Sequence, residues 1–197
     1  MIAGGVRDFP PMHAIVDLPL PYVDRLPERP AAAVTRVVIH CTELPDLATA
    51  REYGEKVLYD SGAGNSGHYY IDRDGTIVRY VPGTRIAHHV RGGNADSIGI
   101  ELVNRGRYPD WFAAHNQTMT ELYPDVQIAA LRALLVQLRE AFPNLRAIAG
   151  HEDLDTARVP ASDDPTVLVP RKLDPGPLFP WEAIVPGCGL ERLPRPL

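Results

Sequence analysis

The stretch Val34–His40, VTRVVIH, constrains the fold more than any other part of the chain. A β-branched, nearly unbroken apolar run is the pattern of a strand buried on both faces. It stops at His40-Cys41-Thr42, so an imidazole lies at the strand's C-terminal end. A second short strand, Leu145–Ala149, runs into Gly150-His151-Glu152-Asp153 and leaves another histidine at a strand end. Sheets bring strand ends together along one edge, so the two histidines are candidates for a shared site.

The rest of the chain supplies the layers such a strand needs. Asp46–Asp60 reads as a helix, with Asp46 as N-cap and Gly62 and Gly64 as stops. His68–Ile71 and Thr76–Val81 flank Asp72-Arg73-Asp74-Gly75, a hairpin signal. Arg85–His89 reads as a short strand, and Ser97–Asn104 as another that carries Glu101 between Ile100 and Leu102. Asp125–Phe142 is a buried helix ended by Pro143. Leu154–Pro170 reads as a long loop, of the kind often tied to function. Mixed hairpin and crossover order with two helices predicts an α/β fold, a central mixed sheet flanked by helices in one domain.

Domain limits follow from proline. Residues 1–30 are punctuated by Pro10, Pro11, Pro19, Pro21, Pro27 and Pro30 and read as an extended arm packed on the domain. The domain then spans 31–185, and 186–197 read as a proline-rich tail. The formal net charge of −5 gives no reason to expect nucleic acid as a partner. No apolar run approaches the ~20 residues that cross a bilayer, so no membrane partner is expected. Arg7, Asp8 and two prolines interrupt what a signal peptide would need, which favours a cytoplasmic protein, expected to be a monomer. Two cysteines, Cys41 and Cys188, make no disulfide framework and no metal pattern.

The stretch Arg171–Trp181, RKLDPGPLFPW, holds three prolines and cannot be a helix interior or a central strand. It offers a third partner to the histidines. A catalytic zinc takes three protein ligands and keeps one open position, and His40, His151 and Asp174 satisfy that count. Two plainer readings stand beside this one: Asp174 caps the Pro-Gly turn, or Asp155, closer to His151 in sequence, is the ligand. The helical HExxH motif is absent, because the position four after His151 is Asp155. Glu101, flanked by apolar residues, either reaches solvent or sits in a site, where it would move protons. Lys172, two residues before Asp174 in an extended segment, projects to the same side and would stabilise an oxyanion; alone it would read as a solvated charge.

The ordered motifs VIHCT, HYYIDRDGTI, IAHH, SIGIELVN, GHEDL and RKLDPGPLFPW resemble the zinc-dependent N-acetylmuramoyl-L-alanine amidases of the amidase-2 group. That group includes a phage lysozyme-type amidase and the peptidoglycan recognition proteins. The resemblance covers about residues 34–182 and implies their fold. It also implies one zinc per chain on His40, His151 and Asp174, with catalytic roles for Glu101 and Lys172. The implied reaction is hydrolysis of the amide between N-acetylmuramic (or 1,6-anhydro-N-acetylmuramic) acid and L-alanine, with peptidoglycan fragments or muropeptides as partners. An aspartate ligand and a glutamate in SIGIEL match the branch that contains the anhydro-muropeptide recycling amidase. The other branch carries a cysteine ligand and a tyrosine where this chain has Gly67. The usual Trp-His-Ala-Gly appears as His88-His89-Val90-Arg91, which aligns His89 with a histidine near substrate. His89, Asn65 and Asn94 are the expected substrate contacts. The rival expectation is a non-catalytic peptidoglycan-binding protein of the same fold.

Overall fold

The computed structural model describes residues 14–194; the first part of the expected arm, with Pro10 and Pro11, and residues 195–197 lie outside the described residues. Its centre is a mixed seven-stranded sheet in the order β1-β4-β3-β5-β2-β6-β9. The strands are β1 (Ile15–Asp17), β2 (Arg36–Cys41), β3 (Tyr69–Ile71), β4 (Ile77–Arg79), β5 (Ser97–Leu102), β6 (Ala147–Gly150) and β9 (Glu191–Arg192). Within this sheet, among the described residues, only β3 and β4 pair antiparallel, through the Asp-Gly hairpin; β5, β2 and β6 run parallel at the centre. Parallel strands must be covered on both faces, and two apolar clusters do this.

Side chains alternate along a strand, so one β-run feeds both clusters. Tyr69, Ile71, Ile98, Ile100 and Leu102 pack with α2 (Asp125–Ala141) and α4 (Trp181–Cys188). Tyr70, Val78, Tyr80 and Val81 face the other way, onto Leu20, Tyr22 and Leu26 and onto Ala50 of α1 (Leu47–Glu55). In α2, Leu131, Leu134 and Leu135 are fully buried, and Gln127 donates to the carbonyls of Ile71 and Val103. Truncating one of these leucines to alanine removes about 2–5 kcal/mol.

Several elements differ from the sequence-based expectation. Helix α1 starts where expected, with the Asp46 carboxylate accepting from Thr49 N at 2.7 Å, but stops at Glu55. The chain then loops back on itself: Leu58 and Tyr59 both donate to Ala63 O, and a side chain at Gly64 would strike the Lys56 carbonyl. Arg85–His89 is no strand. Its backbone groups are shared out instead, Ile86 N to Pro27 O at 2.8 Å, Arg85 N to Pro82 O at 2.9 Å and His88 O accepting from Ser66 N at 3.1 Å, because β1 already occupies the exposed edge of β4. Residues 154–170 contain a hairpin, β7 (Arg158–Pro160) and β8 (Leu168–Pro170), forming a separate two-stranded sheet. The expected tail from 186 instead completes α4 and adds β9 beside β6, so apolar Ile184, Cys188 and Leu190 are buried there. Among the described residues no helix is long and apolar enough to cross a membrane.

Candidate metal centre and active-site cleft

Register places the site. Across three neighbouring strands, His40 of β2 stands level with Glu101 of β5, and Glu101 level with Tyr70 of β3. Their side chains share the face opposite α2, while Ile39, Ile100, Leu102 and Ile71 point into the α2 core. The anomalous glutamate among apolar residues is thus the site-facing member of an alternating strand. On the far side of β2, Ile39 pairs with Gly150, and His151 follows as the first residue of α3 (His151–Leu154).

Asp174 arrives from the proline-rich turn. Glu152 N donates to Asp174 O at 2.9 Å, and the Tyr123 hydroxyl donates to Pro175 O at 2.6 Å, which fixes the backbone on both sides of the carboxylate. Gly150 makes the approach possible, since a Cβ there would lie 2.9 Å from Pro175 Cδ. Asp174 Oδ2 then sits 2.9 Å from His40 Nδ1 and 3.0 Å from His151 Nδ1. All three residues are at most 3 % exposed. Asp155, the alternative ligand, points elsewhere: its carboxylate pairs with Arg171 and lies 3.9 Å from Arg91.

The electrostatics suit a divalent cation. Burial pushes the His40 imidazole down to about 4, helped by His151 and opposed by Asp174, so His40 is neutral near pH 7. Burial alone would raise the Asp174 carboxyl, but His151 and two hydrogen bonds hold it well below the usual range, so it is ionised. Metal ligands require these forms. Moreover, Asp174 Oδ1 and His151 Nε2 are two of six buried side-chain polar atoms without a hydrogen-bond partner among the described residues, and they lie in one three-residue group. Two imidazoles and a carboxylate, with ligand atoms within 4.8 Å of one another, fit tetrahedral zinc with one position open.

Around this group lies a cleft of about 800 Å³. Glu101 Oε1 is 3.9 Å from His40 Nδ1. Burial and then the Asp174 charge push its carboxyl well above the normal range, with the Lys172 cation opposing. Lys172 lines the same cleft, half-buried. Gly67 has a specific reason to be glycine: a Cβ there would be 2.8 Å from Glu101 Cγ. Tyr70 holds the arrangement, its hydroxyl accepting from Gly67 N at 3.3 Å and bonding Ser66 Oγ at 3.1 Å.

The three expected substrate contacts all line the cleft but differ in kind. Asn65 lies on the rim, where its Oδ1 accepts from the Tyr59 hydroxyl at 2.5 Å. Asn94 Oδ1 accepts from the backbone of His89 and Val90, a loop-closing role. His89 has both ring nitrogens engaged, with His40 Nε2 and with Ser97 Oγ. Sequence reasoning missed Tyr70, whose level position with Glu101 becomes visible only once β3 and β5 are paired. It also missed the aromatic rim, Tyr53 on α1 with Tyr59, Trp111 and Phe112 on loops, which share no common period. The buried Glu43–Arg107 pair went unseen as well, since neither residue breaks a periodic pattern.

Comparison with known proteins agrees with this geometry. The family described as N-acetylmuramoyl-L-alanine amidase matches residues 30–177. The 1,6-anhydro-N-acetylmuramyl-L-alanine amidase AmpD of Escherichia coli is 34 % identical over 125 residues, 59 % of this chain and 54 % of AmpD. The chain thus spans about half the length of the curated relatives it matches. AmpDh3 of Pseudomonas aeruginosa, solved with an anhydromuramic pentapeptide, is 25 % identical with a TM-score of 0.60, covering 81 % of this chain and 61 % of that one. The amidase LysC of Clostridium intestinale shares the fold, with a TM-score of 0.64 at 22 % identity over 90 % of this chain and 99 % of LysC.

Proposed function

The chain belongs to the N-acetylmuramoyl-L-alanine amidase family, and on that premise we propose that it hydrolyses the amide joining N-acetylmuramic or 1,6-anhydro-N-acetylmuramic acid to the L-alanine of a peptidoglycan stem peptide. The observation that carries the reading is the buried His40–His151–Asp174 group, with its unpartnered acceptor, beside a high-pKa Glu101 in one open cleft. These three residues would hold zinc, which would supply Lewis-acid chemistry for a carbonyl and for water.

The remaining work falls to side chains of this protein. Glu101 takes the proton from the attacking water as its oxygen bonds the lactyl carbonyl carbon. Burial, which makes the carboxylate a stronger base than a solvated one, suits it to that step. Lys172 steadies the negative oxygen that develops on the carbonyl. Glu101 then hands its proton to the alanine nitrogen as the carbon–nitrogen bond breaks, leaving a lactyl carboxylate and a free peptide amino terminus. AmpD's name and the AmpDh3 ligand support the choice of muropeptide as substrate.

Metal analysis and product identification test the reading together. Purified protein incubated with anhydro-muropeptide and with polymeric wall should release peptides beginning with L-alanine, stop with a chelator and recover with zinc. A fully zinc-loaded protein that binds muropeptide and releases no peptide would sink it in favour of a binding protein.

A further inference from the structure

We infer that His89 and Ser97 are positioning residues that dictate which nitrogen of His40 faces the metal centre. The inference rests on the zinc reading above and adds a mechanism for presetting one ligand. His40 Nε2 and His89 Nδ1 are 3.0 Å apart, and a bond between two ring nitrogens needs one donor and one acceptor. The far end of the chain decides which is which. His89 Nε2 lies 3.2 Å from Ser97 Oγ, and Ser97 Oγ lies 2.5 Å from Gly93 O. A carbonyl can only accept, so the single hydroxyl proton of Ser97 points at Gly93 O. Ser97 therefore accepts from His89 Nε2–H, neutral His89 keeps its lone pair on Nδ1, and His40 donates from Nε2. The lone pair of His40 is left on Nδ1, the atom 2.9 Å from Asp174 Oδ2.

Each assignment leaves one close pair of acceptors with no proton between them. The one adopted leaves His40 Nδ1 against Asp174 Oδ2, a pair that a metal ion would join. The opposite one turns the Ser97 proton toward His89 and leaves Ser97 Oγ and Gly93 O 2.5 Å apart, a pair that no metal ligand set includes.

The scaffold is built to keep the relay in place. Ser97 opens β5 and is fully buried. The His89 ring lies on the backbone of Gly99, where a Cβ would come within 2.6 Å of its Cγ. Asn94 Oδ1 ties His89 N at 3.0 Å and Val90 N at 2.8 Å. A histidine expected to face substrate thus has its hydrogen-bonding edges turned to the metal ligand and to the sheet. Partners of this kind typically change metal affinity by about 10–100-fold.

The test compares two substitutions of similar size. Asparagine offers an oxygen near the place of His89 Nδ1, whereas leucine offers none. Zinc affinity of the purified chain, measured by chelator competition, should fall about 10–100-fold in His89→Leu. It should be largely restored in His89→Asn and fall by less in Ser97→Ala. Nitrogen NMR of the zinc-loaded parent with labelled histidine should show His89 protonated at Nε2 and His40 at Nε2. Equal affinities for the leucine variant and the parent, or a His89 protonated at Nδ1, would overturn the inference while leaving the zinc reading intact. A parent that takes up no zinc would overturn both.

Discussion

Two clusters of buried charge lie within a few residues of the end of β2, and they are finished differently. Glu43 and Arg107 form a closed pair: Arg107 Nε and Nη2 reach the two carboxylate oxygens at 2.7 and 2.8 Å. Arg107 Nη1 goes to Gln117 Oε1 and Pro170 O. The pair joins the turn after β2, the 105–117 segment and the strand that leads into Lys172. The His40–His151–Asp174 group is equally buried yet leaves polar atoms without partners. Burial alone does not distinguish a structural polar cluster from a functional one. What sets the two apart here is that the Glu43–Arg107 pair is satisfied and has no capacity left for a ligand, whereas two imidazoles and a carboxylate converge with ligand atoms within 4.8 Å of one another.

Asp174→Ala should break the contrast most severely. Zinc retention and turnover should vanish while the metal-free protein keeps its melting temperature, read by metal content and calorimetry. Retained zinc would leave the proposed ligand set untenable. Next, Glu101→Gln should keep zinc and lose about 10²–10⁴-fold in kcat; turnover within tenfold of the parent would remove Glu101 from the mechanism.

Arg107→Met inverts the pattern. It should cost roughly 3–5 kcal/mol by stranding Glu43, and the double change Glu43→Leu with Arg107→Met should recover much of that. Thermal unfolding of all three variants decides, and an unaltered midpoint in Arg107→Met would refute the structural assignment.

The smallest effect is a pH response. His40 and His68, pushed by burial down to about 4 and about 3, and His89, pushed well below 6.5, all take up a proton more readily when unfolded. Their joint contribution to stability is present above pH ~6.5 and lost as pH falls toward 4. Glu101, pushed upward, acts in the opposite sense over part of that window, so the measurement belongs in Glu101→Gln protein without metal. A flat melting temperature from pH 6.5 to 4.5 would contradict it.

The parts legible in the sequence were those with a local signal. The β-branched run of β2, the Asp-Gly hairpin and the periodic helix α2 each carry their own pattern, and the structure has all three. The two histidines were visible because each interrupts a strand pattern at its end. What places Asp174 rather than Asp155 beside the two histidines is not local: Arg171 pairs with Asp155, and nothing in the sequence says that the residue next to Lys172 folds back on the loop after α3. Strands β1 and β9, three and two residues long, exist only because neighbouring edges accept them, and no isolated segment of that length has a preference of its own. His89 could be placed beside the site from its motif, but its direction depends on Ser97 and Gly99, one strand away.

The contact between Gly67 and Glu101 also bears on how such a site can diverge. A side chain at 67 and a glutamate at 101 compete for one volume, with 2.8 Å between the atoms that would meet. A side chain added at 67 would have to displace the Glu101 side chain, with the Gly99 carbonyl 3.3 Å from the same point. Substitutions at 67 are therefore expected to be epistatic with Glu101.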